Sequence, residues 1–378
     1  MDTSSYLKDL RRQRRLSQAD AARLTDGTAR QVDRLFVAGL ESRGIPRTAQ
    51  KLLSYAYAIG ADLRVLHELE ILAASVEEPD GRLTYPEARE IAMGACRAGE
   101  FGRATRAVLL ALSNAAEEKD AGCEASCLLL LAAVMKEAGR WNAAREFAER
   151  ALVTRALRPN DTARGLILVA AAHDELGLPE LSEAVLSLVD EELFGRDREL
   201  GALTWFSRGV ARRHMGLQAA SLEAFVRAEE HLSAKAPPAI RARLLAHRAQ
   251  ILSSQGEIAA AIDLVDEAEQ LSTHADVESR ANVLLLAGEA CRASGRLARA
   301  EFLLTRSIDL AARHDLRVIL QEARVELAKL QLKRRNISHF RSLLRSLEAA
   351  LRAGHYRHSL IQAVDELKQA LNEGGGND

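Results

Sequence analysis

The stretch Gly209-Val-Ala-Arg-Arg-His-Met-Gly216-Leu-Gln-Ala-Ala-Ser221 places one small residue seven positions before a central glycine and another five after it. That arrangement recurs along most of the chain. The central position is Gly99, Gly139, Gly177, Gly216, Gly256 and Gly295, with Arg335-Asn336 where a seventh glycine would fall, at gaps of 40, 38, 39, 40, 39 and 40 residues. Seven residues earlier stand Ala92, Ala132, Ala170, Gly209, Ala249, Gly288 and Ala328. Five residues later stand Ala104, Ala144, Ser182, Ser221, Ala261 and Ala300. A helix needs a small side chain where another helix backbone crosses it closely, and a glycine past a helix end can take the left-handed conformation that closes it. Each unit therefore reads as helix, tight turn, helix. Two short helices cannot bury their apolar faces alone, so neighbouring units must stack.

Bulk composition agrees. A chain of 378 residues is too long for one ordinary core, whereas a repeat array grows without one. Aromatic residues make up only 4%, and no run alternates with the period of a strand, so the fold class is all-α. Pro86, Pro159, Pro179 and Pro237-Pro238 fall at expected helix boundaries. Cys96, Cys123, Cys127 and Cys291 sit at small-residue positions in helical patterns. Cys123 and Cys127 share a helix face and could suit a metal pair, but no His or Cys lies near them in sequence, so buried thiols are the expectation. The ten histidines, among them His173, His214, His231, His247 and the pair His355 and His358, show no metal spacing. There is no phosphate-binding glycine loop and no nucleophile elbow. The expectation is a binding protein without enzymatic activity, metal or cofactor. Nothing resembles a signal peptide or a membrane span, which points to the cytoplasm and away from membrane partners.

The small, glycine, small pattern resembles the tetratricopeptide repeat over roughly residues 84 to 370. The units are longer than the common 34-residue form. They also lack the aromatic late in the first helix and the closing proline, which keeps a plain helical solenoid open as the alternative. The resemblance implies a right-handed α-solenoid of about seven helical hairpins, whose first helices line a groove. Positions thirteen, ten, six and three residues before each glycine would face that groove. They include Lys136, Arg164, Asp174, Arg213, Arg243, Gln250, Asn282, Glu289 and Arg292. Such side chains can grip the backbone and terminal carboxylate of an extended peptide; equally, they can form the wet face of amphipathic helices.

Residues 1–75 show none of this pattern. Glu77-Glu78-Pro79-Asp80-Gly81 reads as part of a linker, residues 76–85, before an array over 86–371 and a flexible tail over 372–378. Met1 to Lys51 carries eleven Lys and Arg against six Asp and Glu, a net of +5. The whole chain is −1, so the remainder carries −6. A basic head on an acidic body suggests a polyanionic partner. Five short helices are predicted in the head: Leu7 to Arg15, a second capped by Ser17 with Asp20, a third from Thr28 to Phe36, a fourth from Thr48 to Ile59, and a last from Leu63 to Leu66.

This head resembles the helix-turn-helix domain of the Cro and phage-repressor type, the XRE family. The resemblance is carried by Leu16-Ser17-Gln18, Ala22, Thr28, Val32, Leu35 and the ending Ala58-Ile59-Gly60-Ala61-Asp62-Leu63. Asp26-Gly27 in the turn, an extra residue near Val37-Ala38-Gly39 and Phe36 depart from the usual pattern. The resemblance implies double-stranded DNA as partner, with Thr28, Ala29, Arg30, Gln31 and Arg34 at the base edges; Arg30 and Gln31 would do the reading. Ser17 and Gln18 would hold phosphate at a helix start. Arg11, Arg12, Arg14, Arg15, Arg43 and Arg47 would add salt-dependent affinity.

The whole layout resembles the peptide-pheromone-responsive regulators. It implies a transcriptional regulator that binds DNA as a homodimer and senses a peptide, ligand or protein partner through its array. The competing reading is an interaction scaffold with a degenerate head that does not bind DNA. An exposed array end that needs covering is expected around Leu343 to Leu371.

Overall fold

A computed structural model describes residues 11–12, 16–18, 82–98, 100–233, 236–275, 277–314, 316–353 and 358–374. Most of the basic head therefore lies outside the described residues. From residue 82 onward the described residues form fifteen α-helices and one short 3₁₀ turn, with no strand. None of these helices is long and apolar enough to cross a membrane.

The chain divides into two compact units, Met1–Asp161 and Thr162–Asp378. In the first, α1 (Tyr85–Arg97) pairs with α2 (Phe101–Glu118), and α3 (Ala121–Glu137) pairs with α4 (Trp141–Val153). The chain enters α1 through Thr84, whose backbone N–H and hydroxyl both donate to the Glu87 carboxylate at 2.8 and 2.7 Å. Asn114 on α2 holds that entry by donating to the Leu83 carbonyl at 2.8 Å. Helix α5 (Pro159–Glu175) starts at the division between the units.

In the second unit α5 is followed by α6 (Pro179–Leu186) and the 3₁₀ turn Glu191–Gly195. Then come the pairs α7 (Arg198–His214) with α8 (Gln218–His231), and α9 (Pro238–Gln255) with α10 (Ile258–Ser272). The pairs α11 (Val277–Ala293) with α12 (Leu297–Arg313), and α13 (Arg317–Lys333) with α14 (Ile337–Ala353), complete seven hairpins. A last helix, α15 (His358–Gly374), stands alone in sequence and runs three residues past the expected array end at 371.

The periodic glycine does what its spacing predicts. Gly139, Gly177, Gly216, Gly256 and Gly295 all adopt φ between 68° and 86°. The residue after each unit's central position donates its backbone N–H to the carbonyl five residues earlier, from Glu100 to Ala95 through Asn336 to Gln331, at 2.8–2.9 Å in all seven hairpins. This bond closes a helix on a left-handed residue. The seventh hairpin makes it with Arg335 at φ 59°, a conformation that costs a non-glycine residue about 1 kcal/mol.

The flanking small residues mark where the two helices of a hairpin cross. A Cβ built on Gly209 would lie 2.6 Å from the Phe225 ring, and one on Gly288 would lie 2.7 Å from Leu304 Cγ. In the fourth hairpin the two small positions touch, Ser221 Oγ donating to the Gly209 carbonyl at 2.6 Å. In the seventh hairpin the later position is Phe340, fully buried among Val325, Ala328, Leu344, Leu347, Leu360, Val364 and Leu367. This aromatic fills the space between α13, α14 and α15. Helix α15 packs on this last hairpin and turns Gln362, Asp365, Glu366 and Gln369 outward together with the apolar Ile361.

Candidate functional site: a polar row on the first helices

Residues one repeat apart on successive first helices become neighbours, and in the second unit they form a hydrogen-bonded row. At its start Asp174, buried near the end of α5, faces His214 of α7: His214 Nδ1 lies 2.8 and 2.9 Å from the two carboxylate oxygens. Arg213 Nη2 lies 2.9 Å from His214 Nε2. A guanidinium only donates, so Nε2 accepts and the ring proton on Nδ1 donates to Asp174. The ring therefore couples Arg213 to Asp174 through a neutral group.

The next helix continues the row. On α9 His247 and Gln250 are both buried, with His247 Nδ1 3.2 Å from Gln250 Oε1. Gln250 Nε2 donates to Glu289 Oε2 on α11 through a very short bond. An ionised carboxylate only accepts, so the amide must present its NH₂ to Glu289 and its oxygen to His247, which places the His247 proton on Nδ1. The His247 ring is stacked on Phe225 at 5.2 Å and meets Phe206 edge-on at 5.4 Å. Arg243 sits over the other aromatic of this pair, Phe206, at 5.1 Å. Burial, followed by the charges of Arg213 and Arg243, holds His247 well below the ordinary histidine value. The ring is thus a neutral donor that fixes the orientation of Gln250.

Beyond Glu289 the row ends in a full ion-pair cluster. Arg292 Nε donates to Glu326 Oε2 at 2.8 Å, and Lys329 Nζ to Glu326 Oε1 at 2.7 Å. Glu289 differs from Glu326. Burial and the nearby Glu326 charge push its carboxyl above the usual carboxylate range, while Arg213, Lys329 and Arg292 act the other way from a distance. Among the described residues Glu289 has no cation in contact, and Arg213 has no carboxylate in contact.

Six of the nine groove positions read from the sequence fall on or against this row: Asp174, Arg213, Arg243, Gln250, Glu289 and Arg292. Asn282 is half-buried on α11. Arg164 is exposed and pairs with Asp197 at 3.5 Å instead. Lys136 belongs to the first unit and pairs with its neighbour Glu137 at 2.8 Å. The sequence reading missed His214, His247, Glu326 and Lys329. Lys329 was reachable, since it lies six residues before Arg335, just as Gln250 and Glu289 lie six before their glycines.

In the head, Arg12 and Ser17 are exposed and Gln18 is helical and half-buried. Arg11 is buried and donates to the Leu16 carbonyl at 2.5 Å. Arg14, Arg15, Thr28, Ala29, Arg30, Gln31, Arg34, Arg43 and Arg47 lie outside the described residues. Cys127 and Cys291 are buried, whereas Cys96 and Cys123 are only half-buried. Cys123 and Cys127 hydrogen-bond each other, and burial pushes the Cys127 thiol up to about 12. Among the described residues no group of three or more His, Cys, Asp or Glu is placed to hold a metal ion.

The chain matches no family model, and no curated protein matches it. Solved structures do resemble it. The apo form of RapI superposes with a TM-score of 0.53 at 16% identity, covering 84% of this chain and 90% of that one. A structure of Bacillus thuringiensis PlcR, in complex with the peptide PapR7 and DNA, aligns at 13% identity with a TM-score of 0.44. That alignment covers 75% of this chain and 98% of the PlcR chain. At such identities the RapI likeness speaks to fold alone, and it agrees with an array of helical hairpins.

Proposed function

We propose that this chain is a two-part transcriptional regulator: a basic N-terminal head that binds duplex DNA, and a helical-repeat array whose polar row receives a peptide or protein ligand. The observation that supports the sensing half is the row itself. Polar groups, most of them buried or half-buried, lie across successive first helices, hold one another in position, and leave a guanidinium and a carboxylate without counter-charges among the described residues. Buried polar groups are normally matched within the protein, so an unmatched pair is a feature in need of a partner. An extended peptide supplies both hydrogen-bonding backbone and charged groups.

The DNA half rests on the sequence: the +5 charge of Met1 to Lys51 and the helix-turn-helix grammar around Ser17, Gln18 and Thr28. One head reads too few base pairs for high affinity, so a homodimer on a two-fold site is the working arrangement. Ligand control then requires a ligand that prefers one arrangement of the two heads.

Fluorescence anisotropy with a random-sequence duplex, titrated at several salt concentrations, tests the head. Binding at low salt that weakens steeply as salt rises is expected. Binding that is absent at low salt, or indifferent to salt, overturns the regulator reading in favour of a protein-interaction scaffold. In a sequence selection, Arg30→Ala with Gln31→Ala should abolish base preference while leaving the helical content unchanged.

A further inference from the structure

We propose that the ligand of the polar row is zwitterionic: a peptide that sets a carboxylate on Arg213 and a cationic side chain on Glu289, one on either side of α9. This rests on the peptide-sensing reading and narrows it to a charge pattern.

Arg213 and Glu289 carry opposite charges and lie close enough for the guanidinium to act on the carboxylate, yet they form no ion pair among the described residues. Each is held by a neutral group instead. The one hydrogen bond of Arg213 among the described residues goes to the ring of His214, and that of Glu289 comes from the amide of Gln250. The holders are themselves anchored. His214 is tied to the buried Asp174, and Gln250 to His247, which is clamped against Phe225 and Phe206. Gln250 and His247 are each more than nine-tenths buried, so they cannot swing aside without breaking the packing of α9.

Long side chains of opposite charge in a partly desolvated setting gain by closing on one another. Here each charge is engaged by a neutral group instead, the Glu289 side through the buried Gln250, and the two form no ion pair. The same row shows what a completed pairing looks like, where Glu326 is shared between Arg292 and Lys329. A ligand that bridges the open pair restores to each charge what Glu326 already has. The guanidinium favours a carboxylate, its best planar partner, and the second oxygen of Glu289 favours an N–H donor carrying positive charge. The burial that pushes the Glu289 carboxyl upward supports this, because an arriving cation reverses that push. A neutral peptide leaves both charges uncompensated.

The test is capture from a random heptapeptide pool with free C-termini, using the full chain as wild type, Arg213→Gln, Glu289→Gln and Glu289→Asp, with bound peptides sequenced by mass spectrometry. Wild type should enrich peptides with Lys or Arg at one position roughly tenfold over the input. Glu289→Gln should lose that preference, and Glu289→Asp should keep part of it. For Arg213→Gln, capture should no longer depend on the peptide carboxylate, as judged against a C-amidated pool. Enrichment without a basic position, or an unchanged profile in Glu289→Gln, overturns the zwitterionic ligand and leaves peptide sensing standing. If wild type enriches nothing over bare beads, peptide sensing falls and this inference falls with it. Circular dichroism melts of each variant separate lost folding from lost recognition.

Discussion

Two sets of charges in the second unit behave differently. Those that reach across to a neighbouring hairpin's second helix or its capping turn are neutralised within the protein: Arg212 by Glu183 at 2.7 Å, Arg208 by Glu191 at 2.8 Å, Arg306 by Glu269 at 2.5 Å, and Arg299 by Asp266 and Glu269. In the row along the first helices, Arg213 and Glu289 are each met by a neutral group. Nε of Arg213 makes no hydrogen bond, but neither does Nε of the neutralised Arg208, so an idle nitrogen is not what sets Arg213 apart. The missing counter-charge is. One set of charges holds hairpins together, while the other is left without a counter-charge among the described residues.

This contrast breaks if the hairpin seams prove tolerant, and the largest effect should come there. Gly209→Val drives its side chain into the Phe225 ring, which a Cβ alone would already approach to 2.6 Å, and should destabilise the array by about 3 kcal/mol in urea unfolding. A change below ~0.5 kcal/mol would show that the α7–α8 crossing is looser than described. The closing turns come next. Gly256→Ala, at φ 86° with open space around it, should lose ~1–2 kcal/mol from backbone strain alone. The reverse change, Arg335→Gly, should gain about 1 kcal/mol by relieving the left-handed arginine.

Acid sharpens the comparison from the other side. His247 is neutral in the fold because its proton affinity is depressed, whereas in the unfolded chain it titrates near the ordinary value of 6.5. Below that pH the unfolded chain binds more protons, so stability is fully present above pH 6.5 and declines as pH falls through it. His231 is shifted in the same direction and adds to the decline. The slope from one such histidine is at most ~1.4 kcal/mol per pH unit. In melts across pH 5 to 8, His247→Gln should show a shallower dependence than wild type. Smaller still is the loss of one seam anchor: Glu269→Gln, which removes the carboxylate shared by Arg299 and Arg306, should lower stability by about 1 kcal/mol, and less in high salt.

Handedness of a turn is a local property, which is why the sequence declared the hairpins so openly. A glycine at the close of each first helix and small residues at its crossing need no knowledge of distant contacts. Counting back from each glycine also picked out Asp174, Arg213, Gln250, Glu289 and Arg292, which lie on successive first helices, because a helix repeats every 3.6 residues. Lys329 escaped because its marker is an arginine. His247 and Glu326 both lie nine residues before their markers, on the flank of the counted face. The pairings themselves could have been anticipated from the period: His214 and Asp174 are 40 residues apart, and Gln250 and Glu289 are 39 apart. What no spacing reveals is which charges end up neutralised. That depends on how far each side chain reaches across to the next hairpin, and Arg164, which turned away to Asp197, shows how easily the outcome changes.

The most direct measurement is the thermal stability of a variant carrying both Arg213→Gln and Glu289→Gln, compared with wild type and with Glu269→Gln. If the row is kept for a ligand, removing two uncompensated charges should leave the melting temperature unchanged or raise it, as happens when binding residues are traded for stability. A drop as large as that of Gly256→Ala would mean that Arg213 and Glu289 hold the array together, and the account of the row as a receiving site would be contradicted.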